Sequence, residues 1–242
     1  MLATPPSIPG VLPCQPLAVG LGVDGPRPSQ SLSRAAVVVL GEGVLLAALL
    51  ALFWYQDWRY SLPTPRPALF DPPVIGSTLV LPETLRALLP PAEKRPVLLH
   101  FINPACPCSR FNLEHVRKLQ QQFAHQVDIV AVTEGSNPDT LLAQFTRLDW
   151  NVSVVCDTNR SLAKLAGVYA TPQAVVLDPD RRLFYRGNYN ISRYCVAEQT
   201  QFVRIALESL LRESTNPLLQ SAQATQAYGC ALPVCVREGA GL

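Results

Sequence analysis

The chain has 242 residues, 48% of them hydrophobic and only 16% charged, with a net charge of +2, 23 Pro and 7 Cys. Soluble chains carry about 25% charged residues, so this balance excludes a highly charged disordered chain, and without a basic block it argues against nucleic acid as a partner. The length allows one domain of ordinary size plus extra segments, and the apolar excess needs a local source.

Residues 1–33 are rich in Pro, Gly and Ser, lack an apolar period, and read as a disordered N-terminal segment. From Ala35 to Tyr55 the chain runs AAVVVLGEGVLLAALLALFWY, with Glu42 as its one charge. A helix over 35–55 spans roughly 30 Å, the hydrocarbon thickness of a bilayer. Phe53, Trp54, Tyr55, Trp58 and Tyr60 follow as an aromatic belt of the kind that settles at a membrane–water boundary. A buried core helix fits this pattern poorly, and no small-x-small cleavage site follows to mark a removed signal peptide. Glu42 opposes the span, because a carboxylate about two turns inside costs on the order of 2–3 kcal/mol; the surrounding Leu and Val residues offset it. The reading is one transmembrane helix over 35–55, in contact with membrane lipid. Arg27 and Arg34 before it suggest an N-terminus inside and the larger C-terminal part outside, as for a single-pass protein of a bacterial inner membrane facing the periplasm.

Pro63, Pro65, Pro67, Pro72 and Pro73 make residues 56–73 an extended Pro-rich linker. A folded domain is expected over 74–212. Pro82–Leu89 suits a short helix, and Val97–Ile102 is an apolar run of strand length. Phe111, Leu113, Val116, Leu119 and Phe123 recur at near-helical spacing within 107–123. Val127–Thr133 reads as a strand, Asn137-Pro138-Asp139 opens a helix to 147, and Val152–Val155 is a short strand. Asn159–Gly167 suits a helix with Gly167 as its C-cap. Ala174–Leu177 and Arg182–Arg186 flank the turn Asp178-Pro179-Asp180 as a hairpin, and Val196–Leu211 reads as a long amphipathic helix. This order predicts an α/β fold with a sheet of mixed direction, flanked by helices. Residues 213–242 form a Cys-containing tail without strong periodicity.

Cys14 precedes the apolar run. Cys106, Cys108, Cys156, Cys195, Cys230 and Cys235 follow it, an even number that suits an oxidising compartment. Cys106-Pro107-Cys108-Ser109 carries the chemistry. It follows an apolar strand, and Pro107 suits the first turn of a helix, so Cys106 is expected at a helix N-terminus. There the unpaired N–H groups and the helix dipole stabilise a thiolate, the species that attacks a disulfide.

The stretch Val97–Arg110, VLLHFINPACPCSR, resembles the strand–turn–helix of thioredoxin-like proteins, especially the membrane-tethered redoxins. Gly167-Val168-Tyr169-Ala170-Thr171-Pro172 is similar to that family's helix end followed by Thr-Pro before a strand. The resemblance covers roughly residues 72–212. It implies a cis Pro172 beside the reactive Cys106 and a Thr171 backbone that pairs with substrate. This chain departs from the family pattern, because Ser109 stands where the second Cys falls and Cys108 lies between. Ser109 is expected to hydrogen-bond the Cys106 sulfur. The resolving thiol is Cys108, through a small strained ring, or a distal one: Cys156, Cys195, Cys230 or Cys235. Cys230 and Cys235 are also spaced to close a small structural loop.

The leading reading is a membrane-anchored thiol–disulfide oxidoreductase acting on protein thiols and disulfides, with no cofactor and no resident metal. Two alternatives belong to other classes. A thiol peroxidase would carry Pro-x-x-x-Thr-x-x-Cys, but Leu99 and Asn103 occupy those positions. A Cu(I)-binding module would use the soft thiolates of Cys106 and Cys108, without the late His of copper-delivery relatives. A redox-inactive interaction domain is the remaining reading. His100, His115 and His125 read as packed or exposed imidazoles, and no Ser-His-Asp order or phosphate loop is evident.

Overall fold

The computed structural model describes residues 28–68, 70–90 and 94–232. Contacts divide the chain at Trp54–Tyr55 into two units. The first is the apolar helix. α1 runs Pro28–Ser61, extending past that division. Within it the 24 residues Ser33–Gln56 are long and apolar enough to cross a membrane. At the helical rise they span about 36 Å, and large side chains such as Val39, Leu46, Leu50 and Phe53 are exposed.

The second unit is built on a five-stranded mixed sheet in the order β3-β2-β1-β5-β6. β1 (Val97–Ile102), β2 (Asp128–Glu134) and β3 (Ser153–Asp157) are parallel neighbours. β5 (Gln173–Leu177) lies antiparallel to β1, and β6 (Leu183–Gly187) closes the hairpin with β5. Every residue of β1 is buried, because helices cover both faces. Leu98 and Ile102 pack with α3 (Pro107–Gln122) and α6 (Phe202–Leu211), through Val116, Leu119, Phe202 and Leu207. Val97, Leu99 and Phe101 point the other way, toward Leu85 of α2 (Glu83–Arg86) and Leu162 of α5 (Ser161–Ala166). This alternation explains why the strand reads as a continuous apolar run: both faces of a parallel centre are dry. The arrangement, with a cis peptide at Thr171–Pro172 ahead of β5, is a thioredoxin-like α/β fold.

The local signals act as their chemistry dictates. Asn137 caps α4 (Pro138–Thr146) by accepting the Thr140 N–H at 3.0 Å, and Gly167 ends α5 with φ +68°, a conformation that glycine adopts without strain. Two expectations are corrected. The last long helix begins at Phe202, not Val196; the chain before it holds only a 3-10 turn over Glu198–Thr200. The Pro-rich stretch before the domain is not a free spacer. Thr64 is buried, Phe70 packs edge-on against Tyr169 at 4.9 Å, and Arg186 Nη1 donates to the Pro73 carbonyl at 2.9 Å. In the described part of the tail, polar groups of the domain hold the backbone. That part contains α7 (Ala222–Thr225) and a short strand β7 (Cys230–Ala231) paired with β4 (Ala170–Thr171). The Asn188 side chain donates to the carbonyls of Gln223 and Gln226 at 2.8 and 2.7 Å.

Leu98, fully buried on the central strand, is expected to cost about 2–5 kcal/mol on truncation to Ala. Val80, 82% exposed, is expected to change stability by less than about 0.5 kcal/mol. Denaturant unfolding of the two variants checks the contrast.

Candidate functional site

β1 ends at Ile102, and the chain turns through Asn103-Pro104, with Asn103 Oδ1 accepting the Ala105 N–H at 3.0 Å. Cys106 then stands at the N-cap of α3 in extended backbone, with Pro107 in the first turn, where its missing N–H leaves no helical bond unmade. Cys106 and Cys108 are buried and Cys230 is half-buried. The three sulfurs lie within 4.8 Å of one another, and Cys108 Sγ and Cys230 Sγ are 4.0 Å apart. All three are free thiols.

Burial opposes charge on the Cys106 sulfur. Against it act the Cys230 thiol, the backbone N–H groups of Ser109 and Cys108, and the Cys108 thiol, all donating to that sulfur; together they hold its pKa below the ordinary thiol value. Cys230 moves the other way, pushed up to about 12 by burial and by its role as donor beside Cys106. Cys106 is thus the sulfur of the pair that gives up its proton more readily, and Cys230 the thiol that hydrogen-bonds it. Ser109 contributes its backbone N–H to Cys106 in place of the expected hydroxyl, because its Oγ accepts the Asn103 N–H at 3.3 Å.

Cys230 arrives from the tail. β7 lies antiparallel to β4 with Cys230 opposite Thr171, so the backbone of Thr171, at the cis bond to Pro172, is paired with the chain's own Cys230. Gly229 permits this approach: a Cβ there would sit 2.2 Å from the Thr171 carbonyl oxygen. Around the strand, Thr64 Oγ1 donates to the Gly229 carbonyl at 2.6 Å, Tyr169 Oη accepts the Ala227 N–H at 3.1 Å, and Arg160 Nη2 donates to the Leu232 carbonyl at 3.0 Å. Cys156 and Cys195 are not in the trio. Cys156 sits on β3, opposite Thr133, with its thiol pushed up by burial. Cys14 and Cys235 lie outside the described residues, and the expected Cys230–Cys235 loop falls there with them.

Three contributors were not legible in the sequence. Gly229 carries no motif. Tyr194 places its Oη 3.6 Å from Cys108 Sγ and packs edge-on against Phe111 at 5.0 Å. Glu134, at the carboxyl end of β2, lies beside Asp157 in the strand register and 3.6 Å from the Arg160 guanidinium, the group that also holds the tail carbonyl of Leu232. Burial first, then the Asp157 charge, raise Glu134 from the ordinary 4.5 to about 8, with Arg160 opposing. A strand-end acid in a β-rich stretch gave no hint of this role.

Two outcomes are expected. Gly229→Ala forces β7 off β4, so Cys230 no longer donates to Cys106; the Cys106 thiol then alkylates with a higher midpoint pH than in the native chain. Glu134 has a folded pKa above its unfolded one, so the stability it lends as a neutral group is complete below about 4.5 and is lost as pH rises through about 8. Glu134→Gln removes that loss, and its thermal midpoint should gain on the native chain across that window.

A family model described as a domain of unknown function, DUF6436, matches residues 80–234. No curated protein matches this chain. A solved structure of a hypothetical protein from Sinorhizobium meliloti is 18% identical with a TM-score of 0.53, covering 71% of this chain and 97% of that one. An uncharacterised conserved protein from Geobacillus kaustophilus is 18% identical with a TM-score of 0.54, covering 73% and 100%. These two likenesses speak to the fold alone. A thiol-disulfide oxidoreductase from Bacteroides fragilis is 16% identical with a TM-score of 0.38, covering 50% and 82%, too distant to carry an argument. The family model spans well over half of the sequence, and this chain belongs to the DUF6436 family of domains of unknown function.

Proposed function

We propose that this chain is a membrane-anchored thiol–disulfide oxidoreductase in which Cys106 is the nucleophile and Cys230 the resolving thiol. One observation carries the reading: Cys106 caps α3 and receives hydrogen bonds from the Cys230 thiol and from backbone N–H groups. Such a sulfur loses its proton more readily than an ordinary thiol, and the thiolate is the form that attacks disulfides.

The cycle balances as follows. The Cys106 thiolate attacks one sulfur of a protein disulfide, forming a mixed disulfide and expelling the other sulfur as a thiolate. The charge on Cys106 is now gone, and with it the hydrogen bond and the charge that helped keep Cys230 protonated. Cys230 gives its proton to the departing thiolate and attacks the Cys106 sulfur. The second substrate sulfur leaves, takes a proton from solvent, and a Cys106–Cys230 disulfide remains. The substrate has gained two electrons and two protons, and a protein dithiol returns them to the chain. Run backward, the same steps deliver a disulfide. Ser109 supports the thiolate through its N–H, and Thr171 with Pro172 position the strand that carries Cys230. Cys108 remains an alternative resolving thiol.

The apolar helix within α1 supports anchoring, and Arg27 and Arg34 before it support placing the domain outside a bacterial inner membrane, where disulfides persist. Protein thiols and disulfides are the partners this chemistry suits.

Exchange is measured with a disulfide-bonded peptide and the full chain in detergent. Cys106→Ser should fall to the uncatalysed rate, whereas Cys230→Ser should accumulate a mixed disulfide between Cys106 and the peptide, identified by mass. Full exchange in Cys106→Ser overturns the reading, and release of the peptide from Cys230→Ser at the native rate overturns Cys230 as the resolving thiol.

A further inference from the structure

Disulfide exchange needs two sulfurs, yet three converge at the start of α3. We propose that Cys106, Cys108 and Cys230 together bind one monovalent copper ion. The site uses the same residues as the exchange reading but does not rest on it.

The spacing fits an ion. Thiolate–metal bonds are about 2.3 Å long, so an ion at the centre of three sulfurs holds them about 4.0 Å apart. Cys108 and Cys230 already stand 4.0 Å apart, and no pair in the trio exceeds 4.8 Å. Side-chain adjustment of less than about 1 Å closes the triangle.

The donor set selects the ion. All three ligands are thiols, and among the described residues no His or carboxylate joins the group. The oxygen beside them, Tyr194 Oη, belongs to a phenol 3.6 Å from Cys108 Sγ. A structural zinc site closes with four ligands. Three soft sulfurs, with no fourth ligand among the described residues, suit Cu(I), which thiolates favour. The N–H groups of Ser109 and Cys108, and the dipole of a 16-residue helix, face the negative charge of such a complex.

The ligands are also held in place. Cys106 and Cys108 are fixed by α3. Cys230 is fixed by its pairing with Thr171, by the close approach of Gly229, and by Thr64 on the Gly229 carbonyl. Binding is ligand exchange without electron transfer. Copper arrives as a low-molecular-weight Cu(I) thiolate complex and stays monovalent. Each ligand that is still a thiol releases its proton to the departing carrier thiolate or to solvent as its Cu–S bond forms, and the carrier thiolates leave as the chain's sulfurs replace them.

The test titrates the reduced full chain, in detergent and without oxygen, with Cu(I) held by a colorimetric chelator. One equivalent should bind, with a sulfur-only shell at about 2.3 Å in X-ray absorption. Cys108→Ser and Cys230→Ser should each weaken binding at least about ten-fold, since losing even a group that merely orients a ligand costs that much. A chain with Cys14, Cys156, Cys195 and Cys235 all changed to Ser should keep the ion, and circular dichroism confirms that each variant is folded. The proposal fails if the native chain does not compete with the chelator, if folded Cys230→Ser binds as tightly as the native chain, or if the shell contains nitrogen or oxygen. Copper binding without exchange activity removes the oxidoreductase reading and leaves this site; exchange activity without copper binding does the reverse.

Discussion

A buried sulfur carries charge only where donors replace the water it has lost. At Cys106 these donors come from two places. The Cys108 and Ser109 N–H groups belong to the first turn of α3, where no carbonyl stands to receive them. The third, the Cys230 thiol, belongs to a tail more than a hundred residues further along the chain. The first set follows from local sequence, because a Cys followed by Pro at a strand–helix junction stands at a helix start. The second requires that the tail be threaded past Thr171, and the site's chemistry depends on that placement.

Much of the domain's polar interior serves to hold the tail. Asn188 binds two carbonyls around α7, Tyr185 Oη donates to the carbonyls of Asn188 and Ala224 at 2.7 and 3.0 Å, and Arg160 links Glu134 to Leu232. Each of these side chains meets a backbone carbonyl, and a buried polar side chain left without such a partner would cost more than a typical hydrogen bond contributes. The same dryness disfavours charge on His100 and Glu134. Burial lowers His100 to about 3, and its Nδ1 lies 2.6 Å from Tyr189 Oη; a packed imidazole, not a ligand, is what the sequence led us to expect there.

The sheet was legible because its centre is dry on both faces. Val97–Ile102 shows its role as an unbroken apolar run, and the hairpin over 173–187 is marked by its Asp-Pro-Asp turn. The short connections were read less well. Residues 196–201 are helical in composition, yet only a 3-10 turn forms, since Asn190 binds the Ala197 carbonyl and the Thr200 hydroxyl and so ties that stretch into a loop. The tail gave no periodicity because it does not bury one face. It is held by side chains of the domain acting on its backbone, and such contacts leave no pattern in the segment that receives them.

The sequence by itself determined that an apolar helix precedes an α/β domain, and that Cys106 stands where a helix begins. Those are consequences of spacing within short windows: the length of an apolar run, the alternation along a strand, and Pro one residue after Cys. It offered five thiols as partners for Cys106 without ranking them. Among the described ones, only the tertiary structure brings Cys230 beside Cys106 and Cys108 while leaving Cys156 and Cys195 apart, through the antiparallel pairing of Thr171 with Cys230 and the missing side chain at Gly229. Backbone pairing between distant segments depends on shape at the point of contact, and no local pattern of residues encodes it.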